Sequence, residues 1–213
     1  MKLDLLVFDL DGTLVDSMED ICTAVTLTTE SFGIPPLPKK LIVQHVGIGV
    51  RPLITQALRD NGIDEAERAM TVFNKSYSDN ILNQTRLYPG ILDVLKHFEQ
   101  KPKVVLTNKS NLFTEPLLKL LGIHHHFTKS YGRESFPVYK PDPLPLRSIC
   151  QEFKAEPQNT VMIGDTDVDI KTGKGAGTFT CAALYGFGER QTILAENPDY
   201  QIEHPSELID LFK

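Results

Sequence analysis

Two kinds of hydrophobic pattern divide the chain. Short, nearly continuous apolar runs are typical of strands buried on both faces of a parallel sheet, whereas apolar residues spaced three and four apart are typical of helices. The predicted strands lie at residues 3–8, 103–108, 127–131, 160–165, 179–184 and 200–202. The predicted helices between and after them lie at residues 91–98, 112–121, 143–153, 170–176 and 205–212. This alternation predicts a doubly wound, Rossmann-like α/β core with a parallel sheet.

Residues 16–85 follow a different pattern, with helical spacing and without a strong strand. Ser17 and Asp20 have the spacing of a capping box at the start of the first helix. Pro52 stands where the first turn of a later helix is expected. The pattern therefore predicts a helical subdomain inserted after the first strand. We expect an α/β core of residues 1–15 and 86–213 and a helical domain of residues 16–85.

Composition and charge narrow the functional classes. The chain is 41% hydrophobic and 23% charged, which is ordinary for a soluble globular protein. No apolar run approaches the roughly 18 residues of a membrane span. The chain enters its first strand without a signal peptide, so we expect a cytoplasmic protein that does not bind membranes. The formal net charge of −6 and the lack of a basic stripe argue against nucleic acid as a partner.

Two aspartates follow the first predicted strand. Asp9 and Asp11 lie two residues apart, so at the end of an extended strand both side chains can face the same side. Gly12 then allows a sharp turn. Close carboxylates repel each other, and a shared proton or a hard divalent cation would offset their charge. Ligands of open α/β sheets bind outside the carboxyl ends of the strands, which is where this pair is expected.

Polar residues also stand near the ends of later predicted strands. Thr107 and Asn108 can donate hydrogen bonds to a phosphate oxygen, although a threonine in this place often caps a helix. Lys140 precedes Pro141, whose ring restricts the loop and helps to present the lysine, although a lone lysine is usually a solvated surface residue. Asp165 ends another apolar strand. Together these residues could form one anion- and cation-binding site.

The stretch Phe-Asp-Leu-Asp-Gly-Thr-Leu at residues 8–14 resembles the first signature of the haloacid dehalogenase-like hydrolase superfamily. The Thr-Asn pair at 107–108, the Lys-Pro-Asp-Pro stretch at 140–143 and the Gly-Asp-Thr-Asp-Val-Asp stretch at 164–169 match its other three signatures in the same order. Within the superfamily, the chain resembles the phosphoglycolate phosphatase-like branch. The resemblance implies that the helical domain is a cap and that the protein is a Mg²⁺-dependent phosphatase.

The resemblance also implies roles for the acidic residues. Asp9 would attack phosphorus and form an aspartyl-phosphate. Asp11 would protonate the leaving alkoxide and then take a proton from water, a task that the dehalogenases of the superfamily do not need. Asp9, the backbone carbonyl of Asp11 and Asp165 would hold Mg²⁺. Asp169 would orient Lys140 or a water molecule, and its direct ligation of the metal stays open.

The remaining signature residues would bind the phosphoryl group. Lys140 would neutralise phosphate charge and hold the nucleophilic carboxylate in place. Thr107 and Asn108 would donate hydrogen bonds to the phosphoryl oxygens. Gly173 stands where the family usually has alanine, and we expect it to lower the helix propensity of residues 170–176 without touching a catalytic group.

The sequence indicates the substrate less specifically than it indicates the catalytic residues. Arg51, in a Gly-x-Gly stretch of the helical domain, could meet a substrate carboxylate, or it could be a solvent-facing residue at a helix break. The leading substrate is phosphoglycolate, and the partner is in any case a small-molecule phosphate ester. A sugar phosphomutase similar to β-phosphoglucomutase, a pyrophosphatase and a non-catalytic phosphate-binding regulator are the alternatives. The chain is expected to be a monomer or a homodimer.

Overall fold

The computed structural model describes residues 3–212, and these divide into two compact units. The first unit contains the described residues up to Asp16 and from Leu87 onward. The second unit is Ser17–Arg86. Two short strands, β2 (Val15–Asp16) and β3 (Arg86–Leu87), stand at the points in the sequence where the chain passes from one unit to the other.

The first unit is built on a parallel sheet of six strands among the described residues, in the order β5-β4-β1-β6-β7-β8. These strands are β1 (Leu5–Phe8), β4 (Lys103–Leu106), β5 (Lys129–Tyr131), β6 (Thr160–Gly164), β7 (Phe179–Ala183) and β8 (Tyr200–Ile202). The chain runs outward from β1 to β4 and β5 and then crosses to β6 on the other side of β1. That reversal is the switch point at which doubly wound sheets bind their ligands. The predicted parallel, Rossmann-like α/β core is confirmed.

Helices alternate with the core strands in the sequence. They are α5 (Ile91–His97), α6 (Asn111–Leu120), α7 (Leu144–Glu152), α8 (Asp167–Ala176), α9 (Arg190–Ala195) and α10 (Glu207–Leu211). The side chains of successive residues in β1 point to opposite faces of the sheet. Leu5 and Val7 lie in a hydrophobic cluster with Ile149 of α7, whereas Phe8 meets the ring of Phe127 edge to face at 6.1 Å between centroids. The central strand is thus buried on both sides, as its continuous apolar run predicts.

The second unit is helical. It contains α1 (Met18–Glu30), α2 (Lys39–Val46), α3 (Arg51–Asp60) and α4 (Ala66–Asn80), and α1 and α3 both pack against α4. The apolar face of α4 buries Ala69, Phe73 and Tyr77 at helical spacing. A long amphipathic helix at the centre of such a bundle gains most of its stability from this packing rather than from propensity.

The capping-box interpretation of Asp20 is wrong. The Asp20 carboxylate is buried and accepts hydrogen bonds from the backbone N–H groups of Gln84 and Thr85 and from the Thr85 hydroxyl, at distances from 2.7 to 3.0 Å. A buried carboxylate is costly unless several donors satisfy it, and here three groups do so. Asp20 therefore ties the beginning of the second unit to its end.

Gly173 has a packing role that its sequence context does not reveal. A Cβ atom at this position would lie 2.5 Å from Thr180 Cγ2 and 3.2 Å from Met162 Cβ. The Thr180 side chain has little freedom to move, because its hydroxyl and its backbone N–H both donate to Asp199 Oδ2 at 2.8 Å. The missing side chain lets α8 lie closely against β6 and β7.

We expect Gly173→Ala to lower the free energy of unfolding by about 1–3 kcal/mol, the usual cost of overpacking. The clash would outweigh the gain of about 1 kcal/mol in helix propensity. Gly175→Ala is the matched control, because its Cβ would meet Pro143 Cβ at 3.0 Å and nothing closer. Denaturant unfolding of both variants measures the difference. A Gly173→Ala protein at least as stable as the wild type would contradict the packing role.

None of the helices in residues 3–212 has both the length and the apolar character needed to cross a membrane.

Candidate active site

The carboxyl end of β1 delivers Asp9 to the switch point of the sheet. Its backbone N–H donates to the carbonyl of Ile163 at 2.9 Å, which continues the pairing with β6 beyond the last strand residue. The side chain is buried, and its Oδ1 accepts the backbone N–H of Leu10 at 2.7 Å. The same oxygen lies 3.0 Å from Lys140 Nζ. Asp9 is therefore a fixed carboxylate with a cation beside it.

Lys140 joins two of the predicted site residues. Its ammonium is buried and lies 2.6 Å from Asp169 Oδ1 as well as 3.0 Å from Asp9 Oδ1. Although burial lowers the pKa of Lys140, the two carboxylates raise it above its ordinary value overall. The Asn108 side chain donates to the Lys140 carbonyl at 2.8 Å, which ties the loop to the end of β4. The lysine is thus fixed between two carboxylates.

Asp169 is fully engaged by its neighbours. Besides the contact with Lys140, its Oδ2 accepts hydrogen bonds from the backbone N–H and the hydroxyl of Thr166 at 3.1 and 2.6 Å. These bonds cap the start of α8, which begins at Asp167 rather than at the predicted residue 170. Asp169 therefore contacts Lys140, as one of its predicted roles requires.

Asp165 lies at the end of β6 and is completely buried. Its Oδ1 accepts the Thr13 hydroxyl at 3.0 Å, and its Oδ2 accepts the backbone N–H of Phe187 at 2.8 Å. Gly12 and Gly186 make room for it. A Cβ on Gly12, which has φ of +85°, would lie 2.0 Å from Asp165 Oδ2, and a Cβ on Gly186 would lie 2.3 Å from Asp165 Cβ. Glycine backbone therefore encloses this carboxylate on two sides.

Three buried carboxylates, those of Asp9, Asp165 and Asp169, form one cluster in which an oxygen of each lies within 4.8 Å of an oxygen of the others. Burial raises the pKa of Asp9 to about 6, against the opposing effect of Lys140. Burial and the two neighbouring carboxylates raise the pKa of Asp165 well above its usual range. One ammonium cannot balance three carboxylates, and a hard divalent cation with oxygen ligands fits the donor set. This cluster could hold a metal ion.

Asp11, two residues after Asp9 in the sequence, and Lys109 face each other. Lys109 Nζ lies 3.0 Å from both carboxylate oxygens of Asp11, and both side chains are largely buried. Thr107 is also buried, and its hydroxyl oxygen accepts the Lys109 N–H at 3.2 Å. Every predicted site residue except Arg51 therefore lies in the first unit.

Residues 6–183 match the family model described as haloacid dehalogenase-like hydrolase. The chain belongs to this family. It is 37% identical to a phosphoglycolate phosphatase of Chromobacterium violaceum, over 97% of this chain and 95% of the relative. It is 33% identical to one from Haemophilus influenzae, over 97% of each.

Solved structures show the same relationship. A predicted phosphoglycolate phosphatase from Haemophilus somnus has a TM-score of 0.92 at 25% identity and covers all of this chain and 99% of its own. A haloacid dehalogenase-like family hydrolase from Streptococcus pneumoniae has a TM-score of 0.89 at 28% identity, with the same coverage. The predicted family is confirmed, and with it the prediction that the protein is an enzyme, a hydrolase.

Arg51 lies in the second unit, at the first residue of α3. Its side chain is 51% exposed and pairs with Glu67, with Nη1–Oε1 and Nη2–Oε2 distances of 2.5 and 3.3 Å. A substrate carboxylate would have to replace Glu67 as its partner. The role of Arg51 in this hydrolase stays a prediction.

Three contributors to the site of this family member are not predicted from the sequence. Lys109 follows directly on the Thr-Asn signature, and that position is its only sequence signal. Phe187 supplies a backbone donor to Asp165, and the Tyr185 hydroxyl donates to the Thr13 carbonyl at 2.9 Å. The Gly-Phe-Gly stretch at 186–188 is typical of a tight turn. It does not indicate that this turn encloses Asp165.

Proposed function

We propose that this hydrolase is a Mg²⁺-dependent phosphatase that cleaves a small-molecule phosphate monoester through an aspartyl-phosphate on Asp9. The observation that carries the proposal is the Asp9 carboxylate itself, which is buried and fixed through one oxygen by Leu10 N–H and Lys140. A fixed nucleophile with a charged neighbour is what phosphoryl transfer requires, because that reaction depends mainly on positioning and on stabilising negative charge.

In the first half-reaction, a carboxylate oxygen of Asp9 forms a bond to phosphorus while the ester P–O bond breaks. The electron pair of that bond leaves with the alkoxide oxygen, which takes a proton from Asp11. Lys140 offsets negative charge beside the phosphoryl oxygens, and Thr107 and the loop at Asn108 hold them.

In the second half-reaction, water attacks phosphorus and gives its proton to Asp11. The bond between phosphorus and Asp9 breaks, and its electron pair restores the Asp9 carboxylate as inorganic phosphate leaves. Asp9, Asp165 and the backbone carbonyl of Asp11 would hold Mg²⁺, which when bound neutralises charge on the phosphoryl oxygens. Asp169 keeps Lys140 in place.

Phosphoglycolate is the substrate we propose first. The names of the Chromobacterium and Haemophilus relatives, which match this chain over nearly its whole length, support that choice. The cytoplasmic location and the monomeric or homodimeric state stay predictions.

A panel of small phosphate esters that includes phosphoglycolate tests the proposal. We expect phosphate release that needs Mg²⁺ and stops in chelator, with the highest kcat/KM for the true substrate. Release that is unaffected by chelator would contradict metal dependence, and no release from any ester would contradict the phosphatase assignment.

Arg51→Ala tests how a carboxylate-bearing substrate is recognised. We expect the variant to raise KM for phosphoglycolate about tenfold or more, since a charge-assisted contact is lost. The KM for ethyl phosphate, which has no carboxylate, should not change. Arg59→Ala is the matched control, since Arg59 is an exposed arginine of the same helix. Equal effects on both esters would remove Arg51 from specificity.

A further inference from the structure

Lys109 makes a contact that the mechanism above does not use. Its ammonium lies 3.0 Å from each carboxylate oxygen of Asp11, and the two side chains are only 6% and 10% exposed. Several other ion pairs of the chain are quite different, such as that of Lys75 and Asp79, whose side chains are 77% and 58% exposed. Solvent screens such surface pairs strongly, whereas a largely buried pair keeps its strength and its geometry.

The backbone of Lys109 is fixed from both sides. Its N–H donates to the Thr107 hydroxyl oxygen at 3.2 Å, and its carbonyl accepts the backbone N–H of Arg133 at 2.9 Å. The lysine therefore extends from a defined point at the end of β4. Contact with both oxygens then fixes the plane of the Asp11 carboxylate as well as its position.

The ammonium lies against both oxygens of Asp11, so it holds the carboxylate in one orientation. Of the two tasks proposed for Asp11, only the second begins from a carboxylate, namely the removal of a proton from the water that attacks the aspartyl-phosphate. We propose that Lys109 is a positioning residue that holds the Asp11 carboxylate for this hydrolytic step. The inference rests on the proposed function and deepens it.

The consequence concerns the fate of the aspartyl-phosphate. When water attacks phosphorus, its proton passes to the oriented Asp11 carboxylate, the bond from phosphorus to Asp9 breaks, and its electron pair returns to Asp9. If Asp11 is free to rotate, this step slows while formation of the intermediate from an ester with a good leaving group does not. Lys109 thus favours hydrolysis of the aspartyl-phosphate over transfer of its phosphoryl group to an acceptor other than water.

Lys109→Met tests the inference with p-nitrophenyl phosphate and Mg²⁺, because nitrophenolate leaves without a proton. We expect kcat to fall about 10- to 100-fold, part of what general base catalysis contributes. We expect kcat/KM, which reports only the steps through departure of the leaving group, to change by less than about threefold. Protein-bound phosphate in acid-quenched samples should increase during turnover. Lys119→Met is the matched control, since Lys119 pairs with Glu115 on the exposed side of α6.

Two further variants keep the test decisive. If circular dichroism shows that Lys109→Met does not fold, Lys109→Gln takes its place. The expected changes in kcat and kcat/KM are the same, because glutamine also lacks the charge. Lys109→Arg, which keeps a cation, should restore part of kcat. An unchanged kcat, or a kcat and kcat/KM that fall by the same factor without added protein-bound phosphate, would overturn the inference. If the proposed function itself is wrong, the wild type will release no phosphate and carry none.

Discussion

Asp9→Asn is expected to lower turnover by about 10⁴-fold or more, as loss of a nucleophile does in enzymes with covalent intermediates. The amide oxygen can still accept the Leu10 N–H, but it is a poor nucleophile toward phosphorus. The fold should be kept, because Lys140 retains its contact with Asp169 and one charge is removed from a crowded acidic cluster. Phosphate release from the best ester and thermal unfolding measure the two effects.

The matched control for this prediction is Asp167→Asn. Asp167 lies two residues beyond Asp165 in the sequence, and its partly exposed carboxylate pairs with Lys171 at 2.6 Å on α8. That variant should keep its activity within about a factor of two, because exposed ion pairs of this kind contribute little. Wild-type turnover in Asp9→Asn, or an equal loss in both variants, would rule out Asp9 as the nucleophile.

Asp165→Asn is expected to abolish the response of the protein to Mg²⁺ and to lower activity by about 10³-fold, since the metal contributes several kcal/mol of charge stabilisation. The amide has one oxygen where the carboxylate has two, so it cannot serve Thr13, Phe187 and a cation together. A ligand that binds only the folded state at 100 times its Kd adds about 2.7 kcal/mol of stability. The Mg²⁺-induced rise in Tm that we expect for the wild type should therefore disappear in this variant.

This readout does not depend on catalysis. Titration of Mg²⁺ during thermal unfolding compares wild type, Asp165→Asn and Asp167→Asn, and the last should keep the full wild-type rise in Tm. In chelator, Asp165→Asn should be no less stable than the wild type, because burial and neighbouring carboxylates raise the pKa of Asp165 and make its charge costly. An Asp165→Asn protein with the wild-type Mg²⁺ response would show that the metal binds elsewhere.

The sequence allowed the main features of the first unit to be predicted for a simple geometric reason. Parallel strands end at one edge of a sheet, so acids that follow two apolar runs, such as Asp9 and Asp165, are brought to the same place. Continuous apolar runs located β1 and β6, and the last residues of these strands differ from the predicted ones by a residue or less.

Contacts between distant residues could not be predicted in this way. The pairing of Lys109 with Asp11 spans 98 residues, and nothing in the local pattern of either segment indicates the other. The short-range spacing of Asp20 predicts a helix cap, whereas its donors at Gln84 and Thr85 lie more than 60 residues away. Tertiary contacts outweighed the local rule in both places.

The central position of β1 has a consequence for synthesis on the ribosome. Leu5 is paired with Thr160 and Leu6 with Lys103, so β1, which precedes the other strands of this sheet in the sequence, gains its second neighbour only after β6 is made. At roughly 5–20 residues per second, the nascent chain would wait on the order of ten seconds or more before β6 emerges. Until then β1 presents an edge of unpaired backbone groups and apolar side chains, so incomplete products would be catalytically silent and prone to aggregate.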